Sequence, residues 1–231
     1  FFTTFANIMR KNKPHAEDWP MRALMNKIGI YPGSPFEFNR LSAETQSALN
    51  AAVIDAQNVI TTNMATLAPG QVINKTWKFD TLFEGSYGAA YPYRAAVARY
   101  GIGANLPDDA IYPYVTISLD GSAHTYTIHF DSGQLPPVNA FWSITMYTSE
   151  GYLYANSINK YAIRSADSFV TNPDGSIDLY IQNQAPANQA LRANWLPCPA
   201  APFSVSLRMY WPSTQILYGT SSWKMPAIVA H

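Results

Sequence analysis

Charged side chains are scarce in this sequence. Asp, Glu, Lys and Arg make up 13% of its 231 residues, and 15 basic residues balance 15 acidic ones. Proteins that bind nucleic acids usually carry an excess of basic residues, and this chain has none. We therefore expect no nucleic-acid partner. Cysteine is nearly absent as well. The lone Cys198 cannot form an internal disulfide, and its position between two prolines is typical of a packed, small apolar side chain.

Long apolar runs and the usual catalytic signatures are also missing. No apolar stretch reaches the roughly 18 residues of a bilayer-spanning helix, which predicts that the chain has no transmembrane segment. The sequence contains no HExxH, no pair of CxxC motifs, no P-loop and no GxSxG. His124 and His129 lie five residues apart on one predicted strand, hence on opposite faces, and cannot share an ion. We therefore expect no metal and no cofactor.

The first third of the chain has the apolar spacing of helices. Helices are predicted at residues 1–12, 16–30 and 42–67, the last of them capped by Ser42, and a further helix is predicted at 91–101. The chain opens within a helical pattern. We therefore expect residues 1–70 to form a helical segment and the sequence to begin inside a longer precursor.

Beyond residue 110 the apolar period changes from about 3.6 to 2, which indicates strands. Each predicted strand has one apolar face, and Asp120-Gly121 is predicted to begin a hairpin turn between the first two. Trp211 is placed on the apolar face of the last strand, and Ile117 on that of the first. The five strands lie at residues 112–119, 124–130, 141–147, 177–182 and 203–211.

These patterns predict an α+β fold. An antiparallel β-sandwich, jelly-roll-like, is expected over residues 71–231 with one or two inserted helices, after the N-terminal helical segment. The core of the third strand is expected to consist of Trp142, Ile144 and Met146.

The polar strand faces supply the candidate binding residues. Tyr147, Tyr180, Arg208 and Tyr210 could line a groove, because tyrosine rings with a hydroxyl tip suit sugars and small aromatic ligands. Arg208 could bind a carboxylate through two hydrogen bonds, or it could fix the loop at 154–161. The alternative is that these side chains form the outer face of the sandwich or lie under helices. His129, also on a polar face, is a candidate ligand or base, with a solvated histidine as the alternative.

Five segments occur in an order and spacing that resemble the bacterial domain-of-unknown-function 1214 family. The match covers most of the chain beyond about residue 70, and no single motif is decisive. The helical first third, notably KIGIYPGSPFEF, resembles the segment that joins this domain to a preceding one, the 1254 domain, in such proteins. The resemblance therefore implies that residues 1–70 join to an N-terminal domain that is missing from this sequence. The five segments are LPPVNAFWSITMY, NSINKYAI, NPDGSIDLYIQ, NWLPCPAAPFSVSLRMYWP and WKMP.

The resemblance implies a β-sandwich with added helices, a bacterial source, and a periplasmic or secreted location. It brings no activity that can be transferred to individual residues. Members commonly have NPINRY where this chain has NSINKY, so Lys160 stands at a position usually taken by arginine. Asn156 and Lys160 in this loop carry polar groups that need partners and are further binding candidates.

Two classes of function remain open at this point. The first is a non-enzymatic binding or assembly module that recognises a glycan, a small polar ligand or a second copy of the chain. The alternative is a metal-independent hydrolase or lyase that acts on a small polar substrate. We favour the binding module because no activated nucleophile and no acid–base pair can be named from the sequence.

Overall fold

The computed structural model describes residues 1–62, 71–73, 76–79, 85–101, 103–115 and 117–231. Contacts divide the chain into two compact units. The first comprises Phe1–Ala68 and Tyr87–Ile102, and the second comprises Pro69–Ser86 and Gly103–His231. The predicted domain boundary at residues 70 and 71 stays a prediction.

The first unit consists of helices, which form where the sequence predicts them. Ser42 begins the third helix as proposed, because its Oγ accepts a hydrogen bond of 3.2 Å from the backbone N–H of Thr45. The predicted continuation of this helix through Met64 and Leu67 lies outside the described residues. The helices are α1 (Phe2–Lys11), α2 (Trp19–Asn26), α3 (Ala43–Thr62) and α4 (Tyr91–Gly101), with short 3-10 turns at Ala16–Asp18 and Phe38–Arg40.

A small apolar core holds the first unit together. Met9 on α1 and Leu49 on α3 face it, as their helical spacing requires, and Phe2 and Phe5 pack against it. Its buried members are Ala6, Met9, Ile30, Phe36 and Leu49.

The second unit contains the strands. A short helix, α5 (Thr214–Leu217), and a 3-10 helix at Gln189–Asn194 accompany them. In the described part of the chain the strands are β1 (Gln71–Ile73), β2 (Trp77–Phe79), β3 (Ala110–Ile111), β4 (Tyr114–Val115), β5 (Leu119–Asp120), β6 (Tyr126–Phe130), β7 (Val138–Thr148), β8 (Ala162–Arg164), β9 (Ile177–Gln182), β10 (Trp195–Pro197), β11 (Pro202–Pro212) and β12 (Ile228–Ala230).

The strands form two sheets. The larger has the order β1-β2-β4-β11-β7-β8, and β3 and β5 pair with other parts of β11. The smaller has the order β10-β9-β6-β12. Pairing is antiparallel except between β9 and β10, which run parallel. With the helices of the first unit, this makes the protein α+β as predicted, while the finer jelly-roll description stays a prediction.

The apolar faces of the two sheets meet in one core. Tyr126 of the smaller sheet contacts Phe203 of the larger, with ring centroids 5.6 Å apart, and Phe130 lies 5.7 Å from Trp142 in the same way. Burying each such large side chain contributes about 1.5–3 kcal/mol. Ile144 on β7 and Leu179 on β9 are also fully buried, so the alternation predicted for these strands is confirmed.

The predicted first strand and hairpin are wrong. Residues 112–119 do not form one strand, and Ile117, expected in the core, is 40% exposed. Asp120-Gly121 does not join two paired strands, because β5 pairs with β11 in the larger sheet whereas β6 belongs to the smaller. The chain crosses between the sheets at this point. A local turn signal cannot distinguish a crossover from a hairpin.

Gly121 allows this crossover because another backbone segment passes close to it. A Cβ atom there would lie 2.1 Å from the carbonyl oxygen of Pro199 and 2.6 Å from the sulfur of Cys198. Cys198 itself is a free, fully buried thiol, as the sequence predicts. Burial raises the pKa of this thiol to about 12.

Trp211 departs from the predicted alternation of β11. The pairing of β11 with β7 shifts between Tyr210 and Pro212, and Trp211 has a φ of 51°. The phase of the strand changes there, so Met209 and Pro212 are both buried although three residues apart. Trp211 is consequently 61% exposed rather than in the core.

No helix in the described ranges is long and apolar enough to cross a membrane.

Candidate functional site

The outer face of the larger sheet brings polar and aromatic side chains together. On β7 and β11 the residues between the core positions point to this face, and the register places Arg208 opposite Ser143 and Ser206 opposite Thr145. Tyr147 pairs with Ser204 further along. Phe141 and Tyr147 are six residues apart on β7, so the face extends over about 20 Å along the strand.

Arg208 lies across the middle of this face and is half-buried. Its Nη2 donates a hydrogen bond to the hydroxyl of Tyr147, and its guanidinium carbon lies 5.7 Å from the centre of the Tyr147 ring. To meet, the two side chains must cross the Thr145–Ser206 pair, which helps to explain why Thr145 is buried on an outer face. Among the described residues, no carboxylate lies within ion-pair distance of Arg208.

A second cation occupies the same face. Lys78 on β2 pairs with Tyr114 on β4, and Tyr114 pairs with Ser206, so the three share one row. Lys78 is buried, while its neighbour Trp77 points to the core and donates a hydrogen bond of 2.7 Å to the carbonyl of Pro226. The face therefore carries two positive charges in neighbouring rows.

Aromatic rings cover one end of the face. Phe141 stacks on Tyr210 with ring centroids 4.4 Å apart and an interplanar angle of 21°, and Tyr112 meets Tyr210 edge-on at 6.0 Å. Phe141 remains 49% exposed, and Trp211 follows Tyr210 directly in the chain. This end offers flat apolar surface close to Arg208.

The loop between β7 and β8 is organised by Asn156. Its Nδ2 donates to the carbonyls of Tyr154 and Lys160, at 3.1 and 2.9 Å, and its Oδ1 accepts from the backbone N–H of Ile158 and Lys160. These bonds use the whole amide, which is the structural role that asparagine often has in irregular backbone. No hydrogen bond joins Asn156 to Arg208, which bonds to Tyr147 instead, so Asn156 does not link Arg208 to this loop.

Lys160 points from this loop to another backbone segment. Its Nζ donates a hydrogen bond of 2.9 Å to the carbonyl of Ala193 in the 3-10 helix before β10. Burial lowers the pKa of Lys160 from its ordinary value. A single hydrogen bond to a carbonyl needs only one donor, which the ammonium group of lysine supplies.

His129 lies on the outer face of the smaller sheet. Its Nδ1 is 2.6 Å from Oδ1 of Asp178 on the paired strand, and its Nε2 is 3.3 Å from Oδ1 of Asp131. The hydrogen bond to Asp178 raises the pKa of His129 and outweighs the opposing effect of burial. Asn172 donates to the second oxygen of Asp178 at 2.8 Å. A histidine oriented by a carboxylate can act as a general base when its other nitrogen is free.

The sequence-derived candidates do not form one group. Tyr147, Arg208 and Tyr210 share the larger sheet's outer face. Tyr180 lies on the smaller sheet with His129, so the four residues expected to line a groove are divided between two sheets.

Several residues of these faces were not predicted. Lys78 and Phe141 escaped notice because their partners are distant in sequence. Asp178 could have been suspected from its position on a polar strand face, but its pairing with His129 spans 49 residues. Asn194, buried, hydrogen-bonds both Val170 and the carbonyl of Asp178.

Comparisons with known proteins relate this chain to a family and to solved structures. Residues 115–214 match the model of a family described as "Protein of unknown function (DUF1214)". No curated protein matches the chain. The crystal structure of the VPA0106 protein from Vibrio parahaemolyticus superposes with a TM-score of 0.59 at 20% identity, covering 93% of this chain and 51% of that one. An uncharacterised protein from Burkholderia cenocepacia gives a TM-score of 0.39 at 13% identity, with coverages of 98% and 51%.

This chain therefore spans about half the length of the two solved structures. At such low identity, the similarity to the Vibrio protein supports a shared fold alone.

Proposed function

We propose that this chain, which matches the DUF1214 family model over residues 115–214, is a non-enzymatic binding module for a small polar ligand with an anionic group. The ligand is placed on the outer face of the larger sheet. The observation that carries the proposal is the half-buried guanidinium of Arg208, whose partner there is the neutral Tyr147 rather than a carboxylate.

Charge is the first argument for an anionic ligand. A guanidinium stays charged at every ordinary pH, and a partly desolvated charge is stabilised by an opposite charge. A carboxylate matches the fork of the guanidinium, because it can accept two parallel hydrogen bonds.

Pre-organisation is the second argument. The ring and hydroxyl of Tyr147 hold the Arg208 side chain along the face, which reduces the rotamer freedom that a ligand would otherwise have to restrict. The aromatic end formed by Phe141 and Tyr210 adds apolar surface beside the charge. We extend the proposal to a bacterial protein in a periplasmic or secreted location, in keeping with the family resemblance.

NMR titration tests this proposal. We expect millimolar D-galacturonate or benzoate to shift the Arg208 Nε–Hε signal and backbone signals of β7 and β11, whereas neutral D-galactose leaves the Arg208 signal in place. In Arg208→Met, affinity for the carboxylates should fall about tenfold or more, since a hydrogen-bonded charge contributes about 1.5–3 kcal/mol. The matched control is Arg192→Met, which removes an exposed arginine from the 3-10 helix and should leave binding unchanged.

Two results would count against the binding module. If neither carboxylate shifts these signals in the parent protein, the anionic ligand is wrong. If the signals of the face instead change with protein concentration, a second copy of the chain is the occupant and the module serves assembly. Thermal melting of each variant without ligand separates lost binding from lost folding.

The second candidate function is a metal-independent hydrolase or lyase. The His129–Asp178 pair favours it, because a carboxylate on Nδ1 orients the ring as a general base requires. In the described residues, however, the Nε2 that would take the proton faces Asp131 rather than a nucleophile. Turnover of a chromogenic ester or glycoside that is lost in His129→Gln but kept in Arg208→Met would replace the binding module with this function.

A further inference from the structure

We infer that the aromatic end of the larger sheet is a carbohydrate-stacking platform, formed by Trp211 and Phe141, that binds neutral sugar rings of a glycan. The inference deepens the proposed function by naming the ligand class. The inference depends on the proposed function in one respect, which is that this sheet face is the binding surface.

The exposed Trp211 has an unfavourable backbone conformation. A φ of 51° lies in the left-handed region, which bulky residues rarely adopt and which glycine tolerates freely. The conformation is fixed by a 2.7 Å hydrogen bond from the Trp211 N–H to the carbonyl of Asp109, and by the register shift between β11 and β7. Strain kept at an exposed tryptophan indicates that the side chain is used, because it gains nothing from the core.

Phe141 is a second exposed ring at this end of the sheet, and its partner on the paired strand holds it in place. Phe141 pairs with Tyr210 across the strands, and their stacking fixes the Phe141 ring while leaving it about half open to solvent. Tyr112 supports Tyr210 edge-on from the other side, and the Tyr112 hydroxyl in turn accepts a 2.6 Å hydrogen bond from Asn105. Because neighbouring rings already hold the Phe141 side chain, it loses little conformational freedom when a flat ligand stacks on it.

The rim of the platform favours a sugar over an apolar protein partner. Exposed Asn105, Asp109 and Asn139 belong to the same segments as the rings, and amide and carboxylate groups pair with hydroxyls rather than with apolar side chains. A sugar ring has apolar C–H faces for the aromatic rings and a belt of hydroxyls for this rim. The platform also lies next to Arg208 in the register, so one glycan could reach both.

Titration with neutral oligosaccharides tests the platform separately from Arg208. Cellohexaose, maltohexaose and chitohexaose are added to the protein while the Trp211 indole N–H is followed by NMR. We expect at least one to shift this signal, and we expect Trp211→Ala and Phe141→Ala to weaken its binding about tenfold. Trp19→Ala is the matched control, because Trp19 on α2 is 69% exposed and should not affect binding.

Trp211→Gly keeps the test valid if the alanine variant folds poorly. Glycine accepts the positive φ, so this variant should melt at or above the parent temperature while it loses oligosaccharide binding. If no neutral oligosaccharide shifts the indole signal, the platform is overturned even when carboxylates still bind at Arg208. If neutral binding survives in Arg208→Met but fails in Trp211→Gly, the platform stands independently of Arg208. Dimerisation abolished by Trp211→Gly would replace the glycan with a second copy.

Discussion

At the scale of single residues, the stabilising groups and the candidate binding groups of this protein are separate. Trp142, Ile144 and Met146 face the core from β7, and the residues between them face outward. The outward residues can therefore be changed to test binding with less risk to folding than the inward ones.

The buried tryptophan gives the first prediction. Trp142 is 2% exposed and touches both Phe130 and Phe169. We expect Trp142→Ala to lower the free energy of unfolding by about 3–5 kcal/mol, because it leaves a large cavity in the core. Urea denaturation measures this. A variant that melts within a degree or two of the parent would contradict the packing between the sheets, and the exposed Trp19→Ala should show that small change.

The His129–Asp178 pair predicts a pH dependence of stability. The pKa of His129 is raised above 6.5, so its contribution is complete below that pH and is lost as pH rises through the raised value. Burial alone would raise the pKa of Asp178, but hydrogen bonds from His129 and Asn172 lower it below 3.8. The Asp178 contribution is therefore complete above 3.8 and is lost as pH falls through the lowered value.

The two contributions are thus both complete between pH 3.8 and 6.5. Urea unfolding of the parent and of His129→Gln should differ most near pH 5 and converge at clearly alkaline pH, where the ring is neutral in the folded parent as well. Asp178→Asn breaks the same pair, so its difference in stability from the parent should also shrink as pH rises through the pKa of His129. A stability difference that does not change with pH would mean that the ring and carboxylate are not paired in solution.

At the scale of elements, the connections between strands fix the architecture as much as the strands themselves do. The crossover after β5 depends on Gly121, where a carbonyl oxygen occupies the space of a side chain. The loop after β7 depends on the amide of Asn156. Neither connection is a tight hairpin, and each is fixed by contacts that are local only in part.

Gly121 provides the prediction at this scale. Gly121→Ala should cost more than about 2 kcal/mol, because backbone rather than a flexible side chain blocks the new methyl group. Thermal or urea unfolding measures the loss. Gly133→Ala is the matched control for space, since nothing lies within 4 Å of a Cβ there, although its positive φ adds a modest strain. Equal and small losses in both variants would contradict the close crossing at Pro199.

Alternation along the chain predicted most of the strands but not their partners. β6, β7 and β9 follow from strict two-residue periods, because side chains alternate on any strand with one buried face. The phase change at Trp211 could not be predicted, since it arises from the register with β7 rather than from β11 itself. The His129–Asp178 pair was missed for the same reason, as it joins strands far apart in sequence.

At the scale of the whole molecule, we expect no stoichiometric zinc or iron. Metal sites in proteins need several converging His, Cys, Asp or Glu side chains, and the described ranges contain no such group of three. Elemental analysis of the purified protein by mass spectrometry should find well under one metal per chain. One equivalent would contradict this and would direct attention to His129 and the acidic residues around it.

The single buried thiol is an intrinsic probe of local opening in this protein. Cys198 reacts with an aromatic disulfide reagent only as an exposed thiolate, and in the folded chain it is neither exposed nor ionised near neutral pH. Each labelling event therefore requires an opening of the segment where β10, the crossover at Gly121 and the core meet. The labelling rate, followed by absorbance without any engineered tag, measures how often this interior is visited by solvent.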